Sequence, residues 1–329
     1  MNLHRVYHNG IPDFLRDLSH TPEMRRLSDV GMNCGCEYTH FPRFCGLGKY
    51  SRHEHSLGAA LIVWHFTGDR AQSAAALFHD IATPAFAHSI DFLRGDYLTQ
   101  EATEDGTEAI IRGSEAICRL LAKEGLTVEQ VRDYHQYPIA DNDSPRLSAD
   151  RLEYTLGNLV NFGFCLEEQA AAYYDALLVE KNGEGVEELC FPDEGTALAF
   201  ARDAMRCARI YVSDEDRYAM QRLSEVIALA LSRGALCEKD LCTTETEVIG
   251  KILADEATKR AWDRFTSLSG MVTDPEAAPP EDRRVIPAKR RYIDPYVAGK
   301  GRLSALNATF AAETEAFLHV DQASWICGR

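Results

Sequence analysis

A chain of 329 residues, 45% apolar and 26% charged, has an ordinary globular composition and enough length to bury a sizeable core. Its formal charge of −16 repels polyphosphate backbones, which argues against extended DNA or RNA as a partner but not against a small phosphorylated molecule in a locally basic pocket. The opening MNLHRVYHNGIPDFLRDLSH lacks an apolar stretch behind a basic start, and the most apolar run, Leu57 to Trp64, is too short to span a bilayer. No signal peptide, no membrane association and a cytoplasmic location are therefore expected.

The first predicted helix runs from Pro22 to Val30, with Thr21 as N-cap and Pro22 at the first helical position. The Gly- and Cys-rich stretch GMNCGCEYTHFPRFCGLGKY then reads as turns. Its Cys34, Cys36 and Cys45, with His40, lack the spacing of a zinc site, and the ten cysteines read as small buried hydrophobes. Helices follow from His53 to Phe66 and from Gln72 to Asp80, interrupted by PAFAH at 84–88. They resume near Ile90, from Thr107 to Glu124, from Val128 to Tyr134, and from Ala149 to Leu159 after the loop DNDSPRLS. Further helical patterns cover Glu167 to Val179, Thr196 to Gly234 and Thr243 to Leu268. Beyond the Pro-rich DPEAAPPEDRR, the segment VIPAKRRYIDPYV suggests a short strand or hairpin. The expected fold class is mostly α with a small β element.

Two histidines and two aspartates on successive helices carry the chemical signal. His55 lies early in one helix, His79 and Asp80 end the next, and Asp150 opens a later one. Adjacent His and Asp side chains enter a core cheaply only if something neutralises the carboxylate, and a divalent metal does so. Mixed imidazole and carboxylate ligands suit Fe, Mn, Ni or Zn, with Mg as a further candidate. The competing reading is a helix C-terminus with a surface charge.

The flanking segments SRHEHSLG, HDIATPAFAHSID and DRLEY, with TPEMRRLSDVG ahead of them, resemble in order the signature segments of HD-superfamily deoxynucleoside triphosphate triphosphohydrolases and their bacterial relatives. The resemblance covers roughly residues 20–160. It implies an HD-domain helical core over 1–180 and a C-terminal helical region with a short hairpin over 181–329. Carried over by position, it implies metal ligands at His55, His79, Asp80 and Asp150. It also implies a phosphate contact at Arg52, a general acid at His88 oriented by Asp91, and phosphate and sugar contacts at Arg151 and Tyr154. Relatives of this kind assemble, so a homo-oligomer is expected.

This sequence departs from the family pattern at several positions. Thr83 stands where those enzymes have a second histidine after the HD pair, and Gln100–Glu101 stands where they have a His-Glu pair. Met32 replaces a glutamine that reads deoxyribose, and Asn158 replaces an acid near the sugar. Threonine and glutamine do not exchange protons near neutral pH as histidine does. Glu101 is then a candidate base, against a solvated acidic helix face as the alternative. In an otherwise acidic chain, the cations between Arg283 and Arg302 stand out, and Lys289, Arg290 and Arg291 are candidates for phosphate binding. A charged sheet edge is the competing reading. His53, His65, His135 and His319 are not expected to act as ligands.

The function expected from these residues is a metal-dependent phosphohydrolase acting on a nucleotide or other small phosphate ester. The alternatives are a dNTP triphosphohydrolase releasing tripolyphosphate and a nucleotide-binding sensor with little turnover.

Overall fold

The computed structural model describes residues 3–98 and 106–329. The chain folds mostly as α-helices with one small four-stranded sheet, as its periodicity predicts. At its centre, helix α1 (Arg52–Thr67) packs on α2 (Arg70–Phe78) and on α3 (Ala149–Asn161). Helix α1 is buried on nearly every side from His55 to Val63, which is why its sequence shows little amphipathic contrast. Its start is fixed by a capping box, with Ser51 accepting from the Glu54 backbone and Glu54 accepting in return from Ser51. Gly68 ends it in the left-handed conformation at φ +62°. Asp69 then caps α2 by accepting from the Ala71 and Gln72 amides. Helix α3, capped by Ser148, buries Leu152, Leu156 and Leu159 at helical spacing.

Where the predicted helices are too long, local caps break them. The helix expected from Thr107 to Glu124 is two, with Ser114 capping the second. Likewise the segment from Thr196 to Gly234 divides into α4 (Glu194–Tyr211) and α5 (Asp214–Ser232) at the N-cap Ser213. The helix expected to reach Val179 ends at Asp175, and Leu178–Lys181 is strand β1. It pairs antiparallel with β2 (Glu187–Phe191), which pairs parallel with β3 (Tyr296–Val297), and β3 returns as β4 (Gly301–Arg302). The segment 286–295 is a strap with no ladder of its own. Its backbone is held instead by side chains and by another loop: Arg217 donates to Ile286 O, Ala288 N donates to Gln322, and Asp294 N donates to Pro145 O.

Buried Glu188 on β2 accepts from Arg302, Asn182 and the Leu147 amide. This ties the sheet to the 141–148 loop in front of α3. The largest apolar cluster runs from Leu3 to Phe310, so core residues from both sides of the expected division near residue 180 share it.

Candidate functional site

Helices α1, α2 and α3 converge on four side chains. The His55 and His79 Nε2 atoms lie 3.1 Å apart. Asp150 Oδ1 is 3.0 Å from the first and 3.5 Å from the second. Asp80 Oδ2 lies 3.8 Å from His55 Nε2 and 3.6 Å from His79 Nε2. His55, His79 and Asp80 are all buried and form the one group with mutually close ligand atoms found among the described residues; Asp150 stands just outside that set. Phe78 is the last residue of α2, so His79 and Asp80 leave the helix together and both turn inward.

The outer partners of these rings fix their tautomers. His79 Nδ1 lies 2.7 Å from Ala76 O, and a carbonyl only accepts, so Nδ1 carries the proton and Nε2 of the neutral ring presents its lone pair. His55 Nδ1 makes the same bond, at 2.6 Å, to Glu153 Oε2. With both rings neutral, two imidazole lone pairs and two carboxylate oxygens face one another with no donor among them. A divalent transition metal fits that donor set, and each ring has the outer partner that a metal-ligating histidine uses. In its absence a proton takes the place: burial disfavours charging His55, but Asp150 and Glu153 outweigh it and hold the ring up to about 10. For Asp150, burial opposes ionisation while the bond from His55 prevails, at about 2. Asp80, also penalised by burial, is held well below the carboxylate range by Arg52, His79, His55 and Thr83.

Glu153 was not among the predicted site residues. It sits one helical turn after Asp150, is 2% exposed, and also accepts from Tyr50 and, at 3.4 Å, from Tyr7. Gly58 makes room for it, since a Cβ there would meet Glu153 Oε1 at 2.6 Å. An acid three residues after a ligand aspartate, inside an otherwise apolar helix face, was the available signal.

Thr83 has a role that its substitution for histidine does not suggest: its hydroxyl donates to Asp80 Oδ1 at 2.7 Å. Arg52 donates to the other oxygen, Oδ2, at 3.0 Å. Both residues are buried, so Asp80 is oriented from two sides.

A cavity of about 870 Å³ opens from this cluster. Arg52, His88, Arg151 and Tyr154 line it, and so do Lys289, Arg290 and Arg291 from the strap. Asp91 is fully buried behind His88 and lies 2.9 Å from its Nδ1. Arg151 is engaged by Arg146 O, Asn142 and Asp141, and Arg290 donates to Val320 O. Arg291 has no ion pair or hydrogen bond among the described residues, though it is close enough to influence His88 and Tyr154. Met32 and Asn158 also line the cavity, as does His135, which the sequence reading set aside. Glu101, with Gln100, lies outside the described residues.

His53 bonds to Ser19 O, at 2.9 Å, rather than joining the ligands. His65 packs against Phe66 and Tyr174. Cys34 and Cys36 are buried and Cys45 exposed, while His40 Nδ1 is taken up by Thr266 O. The described residues contain no disulfide-bonded cysteine among the ten, and no helix is long and apolar enough to cross a membrane.

No family model matches the chain. It is 26% identical to the uncharacterized protein YdhJ of Bacillus subtilis over 209 residues, which cover 63% of this chain and 62% of that protein. The match thus spans less than two thirds of that relative's length. It is 25% identical to a metal-dependent phosphohydrolase, cns2, of Cordyceps militaris, over 92% of this chain and 87% of that one. The fold is shared with the crystal structure of a hypothetical protein from Aquifex aeolicus, at a TM-score of 0.63 and 16% identity, covering 97% of this chain and 92% of that one.

Proposed function

We propose that this chain is a metal-dependent phosphohydrolase of the HD superfamily, acting on a nucleotide or other small phosphate ester. The observation that carries this reading is the convergence of four acceptor atoms, from His55, His79, Asp80 and Asp150, at a cavity that also holds the positive charge of Arg291, which makes no ion pair or hydrogen bond among the described residues. The similarity to a metal-dependent phosphohydrolase over most of the chain supports it.

When bound, the metal supplies Lewis-acid polarisation of the phosphoryl oxygens and lowers the pKa of water near it. The protein's part is binding, orientation and proton handling. Arg291 offers a planar guanidinium to a phosphate oxygen, and Lys289 adds charge from the same strap. Arg52 and Thr83 keep Asp80 in place. Asp141 and the carbonyl of Arg146 hold Arg151 at the cavity wall beside the ligand Asp150.

His88 moves the proton. Burial, with repulsion from Arg291 and Arg52, lowers its pKa to about 4 against the pull of Asp91. The free protein therefore holds a neutral ring whose Nδ1–H donates to Asp91 Oδ2, leaving Nε2 as an acceptor. An entering phosphate dianion cancels the repulsion from Arg291 and Arg52 and favours charging at Nε2. The charged ring then donates that proton to the departing oxygen. The expected result is a His88 pKa at least one unit higher with inorganic phosphate bound than without it, read from ¹⁵N chemical shifts of the imidazole. A His88 that titrates identically in both states would remove it from this role. Without phosphate the sign for stability also follows. A depressed histidine pKa contributes stability above the unfolded value, near 6.5, and that contribution is lost as pH falls toward 4.

The test of the reading as a whole is product analysis. With Mn²⁺ added, dNTPs, nucleoside monophosphates and sugar phosphates are incubated with the protein and the phosphorus species resolved by ³¹P NMR. Orthophosphate from monoesters is the expected product. Tripolyphosphate from dNTPs would assign the triphosphohydrolase chemistry instead, and intact substrates across several metals would leave a sensor.

A further inference from the structure

The cavity has a polar region that the hydrolytic chemistry leaves unused. Asp216, in the first turn of α5, lines it together with Met32, Asn33, Tyr211 and Met220. The residue is 8% exposed. Its Oδ1 faces Cys36 Sγ at 3.8 Å, a weak thiol donor. Its Oδ2 takes no hydrogen bond from the described residues and is not sealed off by packing.

Basic side chains are near but committed or out of reach. Arg217, next in sequence, turns instead to Ile286 O and Asp214. Arg43 pairs with Glu215 at 3.8 Å. Arg291 lines the same cavity without closing on Asp216. Burial raises the carboxyl to about 8, so near neutral pH it is an acid that can donate as well as accept. Asn158, also in the lining, gives its amide N–H to Tyr211. A carboxyl oxygen with no protein partner among the described residues, on a side chain this little exposed, is open to a ligand that brings a donor. A phosphate group alone would fill only a small part of about 870 Å³.

Building on the hydrolase reading above, we propose that Asp216 is a specificity-determining residue that hydrogen-bonds hydroxyl or N–H groups on the substrate's leaving group. The preferred esters are then phosphates of polyhydroxylated or nitrogenous alcohols, and simple aryl phosphates are poor substrates.

The experiment uses the Mn²⁺-loaded full chain with ribose 5-phosphate, adenosine 5′-monophosphate and phenyl phosphate, measuring kcat and KM for each, and the Kd of adenosine alone by calorimetry. The wild type is expected to favour the first two esters. Asp216→Ala should lower that selectivity ratio about tenfold to a hundredfold, through KM, and weaken adenosine by a similar factor. Asp216→Asn, which keeps the shape and a donor, should recover most of the ratio. An unchanged ratio, or an equal loss on all three esters, would overturn the proposal, the latter marking a purely structural residue. If the wild type releases orthophosphate from phenyl phosphate but shows no preference, this inference falls and the hydrolase reading stands. If the protein binds no metal and cleaves no ester, both fall together.

Discussion

Asp80→Ala is expected to purify without its metal while keeping nearly all of its helicity. Phosphate-ester turnover should drop roughly a thousandfold or more, equivalent to about 4 kcal/mol of transition-state stabilisation. The reason is that Asp80 does three things at once. Its Oδ2 faces both imidazoles, accepts from Arg52 at 3.0 Å, and its Oδ1 accepts from Thr83 at 2.7 Å. Deleting it removes a charge that the metal needs and strands a buried guanidinium, at 8% exposure, which costs about 3–5 kcal/mol. Metal analysis by mass spectrometry beside circular dichroism separates coordination from folding. Asp80→Asn keeps the volume and one of the two acceptor oxygens, for Arg52 or for Thr83 but not both, so it should lose metal with a smaller change in melting temperature than Asp80→Ala. Stoichiometric metal in Asp80→Ala would sink the proposed coordination.

Glu153→Gln should weaken metal binding about tenfold to a hundredfold, although the residue is no ligand. The carboxylate accepts from His55 Nδ1 and so keeps that ring in the tautomer whose Nε2 faces inward. A glutamine oxygen can still accept, but it carries no charge to raise the basicity of the imidazole. Glu153→Ala goes further, because it leaves His55, Tyr50 and Tyr7 as buried donors without their common acceptor. Each unpaired donor costs about 1–3 kcal/mol, so a large fall in melting temperature is expected beside the loss of metal. The deciding measurement is metal affinity for Glu153→Gln in a folded protein. Wild-type affinity there would show that Glu153 serves packing alone.

Read together, these residues show what each level of information decides. The sequence by itself determined the helical class, because apolar residues recur at helical spacing in Ala149–Asn161 and Arg52–Thr67 is a long apolar-rich run. It also singled out the His and Asp residues that meet, since adjacent His79 and Asp80 in an apolar setting demand neutralisation. Helix breaks at Ser114 and Ser213 were missed because a serine that caps and a serine that rides on a helix look alike until the backbone direction is known.

Only the tertiary structure decided the rest. The strap at 286–295 lies along the cavity because Arg217, Gln322 and Pro145, distant in sequence, hold its backbone there. Thr83 became an orienting residue, and Glu153 the common acceptor for His55, Tyr50 and Tyr7, through contacts between different segments. Asp216 and Met32 share a cavity although they lie on elements far apart in the chain. Helical periodicity records which face of each segment is buried, and it does so within a few turns. Which buried faces meet, and which polar atoms are left over for a ligand, depends on long-range packing that no local pattern encodes.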